Sequence, residues 1–230
     1  MDKTIENALD DISLIKTVIL KTQKDFAKVA SFFIWIGIIN GIAWIIEQLA
    51  YYIRNTVGYG NVYVQLLGQG YHWVRLLGYI VVFAIFYRKL KSSQNDISEG
   101  MIKIWGIVLI GSYFLSFLYL RLLPNGNSDK INILWRSEEL IEVLPVVVVL
   151  FMTGILTKKR IISVCTAIYS IVYFVLFLSM KEMPYGNLGG KGTLMPISSV
   201  SVRCLMIFGM IILGLYLKIG TKNNGDTFNT

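Results

Sequence analysis

The feature that most constrains this chain is a series of six long apolar stretches separated by short polar ones. They cover residues 29–53, 64–87, 101–120, 139–157, 161–180 and 196–217. A helix of about 20 residues crosses the ~30 Å hydrocarbon core of a bilayer, and it satisfies its own backbone hydrogen bonds there. The six stretches therefore predict six transmembrane helices.

Composition supports a membrane protein and excludes a soluble domain. Of the 230 residues, 55% are hydrophobic and 16% are charged, and the mean hydropathy is +0.61. A soluble domain carries about a quarter charged residues. We predict an all-α polytopic membrane protein, with a bundle of six transmembrane helices over residues 29–218. An N-terminal amphipathic helix is predicted over 1–28 and a polar cytoplasmic tail over 219–230.

The distribution of positive charge predicts the orientation in the membrane. If the N-terminus lies inside, 14 of the 22 lysines and arginines fall on the cytoplasmic side and 8 fall elsewhere. Lys and Arg concentrate in cytoplasmic loops. We therefore predict a multi-pass protein of the cell membrane with both termini in the cytoplasm. We interpret the net charge of +8 as lysines and arginines of cytoplasmic loops that contact anionic lipid. Nucleic-acid binding is not predicted.

The segment before the first apolar stretch has a helical repeat. Ile5, Ile12, Ile19 and Phe26 keep a seven-residue step, with lysines between them. Two interpretations stay open: a helix on the inner membrane surface, with its lysines toward headgroups, and a short coiled coil. The surface helix is favoured because about three heptads is short for a coiled coil. Residues 1–28 are also the segment through which a cytoplasmic protein partner would dock.

A resemblance covers part of this region. The stretch DISLIKTVILKT, followed by SFFIWIG, lies within residues 11–38. It resembles the opening of small uncharacterised bacterial multi-pass membrane proteins, which have an Ile-rich cytoplasmic helix and a Phe-Phe-x-x-Trp-Gly-like first span. In this chain Trp35 and Gly37 are separated by Ile36 rather than adjacent. The family has no assigned activity, so the resemblance implies the topology and nothing about mechanism.

Residues 56–60 read Thr-Val-Gly-Tyr-Gly, the string that lines the selectivity filter of potassium channels. A filter also needs a pore helix of about 12 residues before it, and the apolar stretch 29–53 leaves no room for one. Arg54 would place a positive charge two residues before the filter. The string therefore predicts an outer turn between the first two spans, with glycines supplying backbone freedom, and a potassium channel is disfavoured.

Five ionisable residues lie inside the apolar stretches, namely Glu47, His72, Arg75, Glu142 and Arg203. At 1.5 Å per helical residue, the four charged ones lie about 20–28 Å above the inner boundary. Such residues are costly in lipid and usually face the bundle interior or water. We predict that all five line one outward-facing polar pocket. Its rim is predicted to include Gln48, Tyr51, Gln69 and Tyr71.

Two uses of this pocket stay open. The two arginines can bind a small anionic or zwitterionic solute or a lipid headgroup, or the charges can form interhelical salt bridges that fix the packing. Catalysis has little support, because the serines have no evident base. His72 is the only histidine, so no metal or cofactor is expected. The predicted function is a non-enzymatic binding or transport component. The alternative is an accessory or sensory subunit that docks a cytoplasmic partner.

Two weaker patterns concern packing. Trp35 and Trp105 are predicted at the inner membrane interface, where tryptophan rings are enriched. Gly37 and Gly41 are four residues apart, a spacing that permits close contact with another helix.

Overall fold

The computed structural model describes the backbone of residues 3–58, 62–91, 96–122, 128–179, 181–185 and 193–226. It describes the side chains of residues 25–58, 62–91, 96–116, 118–119, 139–179, 181–182 and 195–219. Within these ranges the chain is helical apart from one short hairpin, so the prediction of an all-α fold is confirmed.

In the described residues, five separate helices precede the hairpin and a composite helix follows it. The five are α1 (Lys3–Val57), α2 (Val62–Lys91), α3 (Asp96–Leu122), α4 (Ser128–Leu156) and α5 (Arg160–Ser179). After the hairpin, α6 (Ile197–Cys204) continues through a π-helical turn (Leu205–Gly209) into α7 (Met210–Asp226). The connections are short, so helices adjacent in sequence are also adjacent in space.

Among the residues that the structure describes, five helical segments are long and apolar enough to cross a membrane, so this is a membrane protein. They are Asp25–Val57, Asp96–Ser116, Glu139–Leu156, Arg160–Ser179 and Ile197–Ile219. Their outer faces carry large apolar side chains, such as Ile107, which is 71% exposed. A surface of this kind suits contact with lipid. Five of the six predicted spans therefore have the length and hydropathy of a membrane crossing, and the count of six is not confirmed.

Helix α2, which covers the predicted span 64–87, is not among these five segments. It contains two glutamines together with His72 and Arg75, which lower its hydropathy. It nevertheless runs alongside the first span. The Cβ of an alanine at Gly78 would lie 2.7 Å from the side chain of Ile39, and the Lys28 ammonium donates a hydrogen bond to the Lys89 carbonyl at 3.3 Å.

Helix α1 continues without a break through the predicted boundary between residues 28 and 29. Its 55 residues correspond to a length of about 80 Å at 1.5 Å per residue. The side chains before Asp25 lie outside the described residues. The amphipathic face and the choice between surface helix and coiled coil therefore stay predictions.

The Thr-Val-Gly-Tyr-Gly string begins inside α1. Thr56 and Val57 are helical, and the Thr56 hydroxyl bonds to the carbonyl of Tyr52 at 3.1 Å. The extended backbone of a filter is therefore absent at these two residues. Gly58 ends the helix with a φ of +96°, a conformation that glycine adopts without strain. Tyr59 and Gly60 lie outside the described residues.

The core of the bundle is formed by aromatic and branched side chains at the end opposite the hairpin. Phe33 packs edge-on against Trp105 with ring centroids 5.1 Å apart, and the Trp105 indole donates to the Thr153 hydroxyl at 2.9 Å. Trp105 is only 1% exposed, so its predicted place at the membrane interface is wrong. Its ring belongs to the core because α3 is flanked by both α2 and α4.

Glycines bring α1 and α7 into close contact. A Cβ at Gly37 would lie 2.6 Å from the Ile211 side chain and 2.7 Å from the Ile207 carbonyl. A Cβ at Gly214 would lie 2.5 Å from the carbonyl of Ala30. The predicted helix contact is therefore confirmed at Gly37, whereas a Cβ at Gly41 would make only an ordinary contact of 3.7 Å.

A two-stranded hairpin joins α5 to α6. Strand β1 (Glu182–Tyr185) pairs antiparallel with β2 (Thr193–Pro196), and the Ile197 amide extends the ladder by bonding to the Lys181 carbonyl at 3.0 Å. The loop GNLGGKG between the strands lies outside the described residues. The hairpin lies at the same end of the bundle as the turn between α1 and α2, because α5 and α1 run in the same direction.

Candidate polar binding site

The five ionisable residues predicted to form a pocket line one cavity. This polar cavity has a volume of about 150 Å³ and is lined by Glu47, His72, Arg75, Glu142 and Arg203, among others. They come from α1, α2, α4 and α6. Lipid around the bundle disfavours exposed charges, so the four helices turn these side chains toward the bundle interior.

The pair Arg203–Glu47 joins α6 to α1. The Arg203 guanidinium donates to the Glu47 carboxylate through Nη1. The Glu47 side chain is 5% exposed, whereas that of Arg203 is 29% exposed. The carboxylate is therefore buried behind the arginine, and the guanidinium is the group that faces the open space.

Arg75 joins α2 to α1 and α4. Its Nε donates to the Asn40 side-chain oxygen at 3.2 Å, and its Nη2 lies 3.8 Å from the Glu142 carboxylate. The same Asn40 oxygen accepts a second hydrogen bond from the Tyr79 hydroxyl at 2.7 Å. The guanidinium also lies over the ring of Tyr113, 4.9 Å from its centroid. These contacts fix the position of Arg75 while its side chain stays 19% exposed.

His72 lies one turn from Arg75 on α2. Its Nδ1 is hydrogen-bonded to the Tyr113 hydroxyl of α3 at 2.6 Å, and its ring stacks beside that of Tyr71 with centroids 3.9 Å apart. Tyr71 lines the polar cavity as predicted for the rim. The other three predicted rim residues, Gln48, Tyr51 and Gln69, do not line it, because they point to other faces of α1 and α2.

Four polar or flexible side chains of the cavity were missed by sequence reasoning, namely Asn40, Glu139, Met195 and Ser199. Glu139 lies three residues before Glu142, and residues at this spacing share one face of a helix. The spacing therefore predicts that Glu139 lies in the same cavity as Glu142. Its Oε2 accepts a hydrogen bond from the Ser199 hydroxyl of α6. Met195 belongs to β2, so the hairpin contributes to the outer end of the cavity.

The polar cavity narrows on the side toward the bundle core. A smaller cavity of about 20 Å³ lies beneath Arg75 and Glu142, and its lining combines apolar side chains such as Val143 with the polar ones of Tyr79 and Ser112. A space of that size holds about one water molecule.

Size and charge limit what the polar cavity can hold. Its volume of about 150 Å³ is below the roughly 300–1,000 Å³ of pockets that hold drug-sized ligands, so it suits a small polar group. It contains two guanidinium groups and three carboxylates. Among the described residues, no group of three His, Cys, Asp or Glu side chains is arranged to hold a metal ion.

Comparison with known proteins does not assign this chain to a family. No protein-family model, no curated protein and no solved structure matches this chain. The resemblance over residues 11–38 accordingly stays a prediction, and function has to be argued from the polar cavity itself.

Proposed function

We propose that this protein is a non-enzymatic binding or transport component of the cell membrane. Its polar cavity faces outward and takes a small anionic or zwitterionic solute or a lipid headgroup. The observation that carries the proposal is the convergence of Glu47, His72, Arg75, Glu142 and Arg203 on one cavity.

Open space beside the arginines supports binding over packing. The attraction within a buried ion pair gains about as much free energy as the desolvation of its two charges costs. Two such pairs therefore add little to the stability of the fold. A purely structural network would also be expected to fill its space. Instead Arg75 and Arg203 keep 19% and 29% of their side-chain surface exposed. Guanidinium groups held in this way are suited to phosphate or carboxylate.

The orientation proposed for the cavity includes a membrane crossing by α2. Its 30 residues span about 45 Å at 1.5 Å per residue. The hydrogen bond between Lys28 and Lys89 brings its C-terminal end beside the start of the first span, the end that the charge distribution favours for the cytoplasm. Six crossings put both termini in the cytoplasm, as the excess of Lys and Arg there favours. The hairpin end, with the polar cavity, then faces outward.

Ligand-induced stabilisation of the purified protein tests the proposal. The full chain in maltoside micelles would be heated in the presence of glycerol phosphate, phosphoethanolamine or glutamate, with tryptophan fluorescence as the readout. A ligand at 100 times its Kd stabilises the folded state by about 2.7 kcal/mol. We expect stabilisation by at least one of these probes. It should be lost when Arg75→Met is combined with Glu142→Gln, which removes both charges together.

The matched control removes an ion pair outside the cavity. Lys103 and Glu99 pair at 2.7 Å on α3, and the double variant Glu99→Gln with Lys103→Met should respond to the probes like the wild type. Equal stabilisation of the wild type and the Arg75–Glu142 variant would contradict the proposal, as would the absence of any response in the wild type.

The alternative is an accessory or sensory subunit that docks a cytoplasmic partner through residues 1–28. The unbroken helix α1 favours it, because one rigid element connects the N-terminal segment to Glu47 in the polar cavity. Deleting residues 1–24 should then abolish in-cell crosslinking to a partner while the thermal unfolding of the bundle is unchanged. Crosslinking that survives the deletion would exclude this role.

A further inference from the structure

The charges of the polar cavity do not balance among the described residues. Arg203 is paired with Glu47, and Arg75 with Glu142. Glu139 lines the same cavity, and no described Lys or Arg lies within ion-pairing distance of it. Two cations therefore face three carboxylates.

Glu139 is also incompletely hydrogen-bonded. Its Oε2 accepts from the Ser199 hydroxyl, whereas its Oε1 is buried and has no donor among the described residues. A buried acceptor without a donor is unfavourable, and more so when it carries charge. The terminal torsion of a glutamate is broad, so a modest rotation of the carboxylate presents either oxygen to the cavity.

The cationic side of the cavity can accept an anionic group at the same time. A guanidinium has five N–H donors, and Arg75 uses only Nε and Nη2 in its contacts with Asn40 and Glu142. The volume of about 150 Å³ limits the distance between the two charges of a ligand to that of a small molecule or headgroup.

We infer that the polar cavity selects a zwitterionic ligand, with a protonated amine held by Glu139 and a phosphate or carboxylate held by Arg75 and Arg203. This inference rests on the proposed function and narrows its ligand class, because a purely anionic ligand leaves Glu139 uncompensated. The chemistry is shared by a soluble amino phosphate and by a phosphatidylethanolamine headgroup.

A pair of probes that differ only in the amine tests this selection. Phosphoethanolamine and hydroxyethyl phosphate have the same phosphate and nearly the same size, and both would be titrated calorimetrically into the full chain in maltoside micelles. We expect the wild type to bind the amine at least about tenfold more tightly, which corresponds to roughly 1.4 kcal/mol. Glu139→Gln should reduce this preference to near unity and leave hydroxyethyl phosphate binding intact.

Two further variants keep the result interpretable. Glu139→Asp retains the charge and should retain most of the preference, even if Glu139→Gln proves poorly folded. Glu99→Gln removes a carboxylate outside the cavity and should change neither affinity. Equal affinity of the wild type for the two probes, or an unchanged preference in Glu139→Gln, would overturn the inference while the proposed function stands.

A lipid arm distinguishes the two sources of the ligand. The same variants in nanodiscs that contain phosphatidylglycerol and phosphatidylethanolamine would be examined by native mass spectrometry. Selective retention of phosphatidylethanolamine by the wild type but not by Glu139→Gln identifies a headgroup, whereas binding of soluble phosphoethanolamine alone identifies a free solute. Absence of binding in both arms would overturn the inference and the proposed function together.

Discussion

Removing Arg203 should destabilise the protein far more than removing its partner. Glu47 is 5% exposed, and Arg203→Met removes the guanidinium that contacts this buried carboxylate. Breaking a buried pair in this way costs about 3–5 kcal/mol. We expect a value near 3 kcal/mol, because Arg203 is 29% exposed and water can partly replace it. For a chain of this length the change corresponds to a Tm lowered by roughly 6–12 °C.

The reverse change has a different consequence. Glu47→Gln removes the carboxylate that Arg203 contacts, but the guanidinium can reach water in the polar cavity, so we expect a loss of only about 1–2 kcal/mol. Combining both substitutions should recover part of the stability lost in Arg203→Met. Thermal unfolding in maltoside, followed by tryptophan fluorescence, measures all three variants. Equal losses for the two single variants, or no recovery in the double variant, would show that the buried carboxylate is not the cause.

Two other predictions concern packing and hydrogen bonding. Gly37→Ala should lower the free energy of unfolding by about 1–3 kcal/mol, as overpacking does. Gly68→Ala in α2, where an added Cβ would meet open space, should be neutral or raise the Tm. Similar effects at the two sites would contradict the close α1–α7 contact. Asn40→Ala should lower the free energy of unfolding by about 1–3 kcal/mol, because it removes the acceptor of the buried Tyr79 hydroxyl. Adding Tyr79→Phe should restore part of this loss. Denaturant unfolding of the single and double variants measures both effects.

The location of the polar cavity could be predicted from sequence because charged residues in apolar helices have few favourable positions. Arg75 and Glu142 lie at a similar depth by residue count alone, and lipid leaves the bundle interior as their main alternative. Helical rise fixes depth, but it does not fix rotation. Gln48 follows Glu47 directly and points elsewhere, since successive helical residues differ by about 100° in direction.

Uncharged polar groups and core aromatics could not be placed in the same way. Asn40 organises Arg75 and Tyr79, yet an asparagine within a long apolar stretch has no distinctive pattern. Trp105 fits both an interface belt and a core by sequence, and only the neighbours of α3 decide between them. The hairpin was missed because four-residue strands are too short for a clear alternation.

The π-helical turn at Leu205–Gly209 has a consequence for how this region can vary in length. A π-helical turn contains an additional residue, so the segment after it is rotated by about 100° relative to an uninterrupted α-helix. Arg203 precedes this turn and meets Glu47, while Gly214 follows it and meets Ala30. Deleting one residue within the turn would convert it to regular α-helix and keep both contacts in phase with α1, because the wide turn absorbs one additional residue. Inserting a further residue would rotate the two contacts apart by about 100°. Natural variants of this segment should therefore tolerate the loss of one residue better than the gain of one.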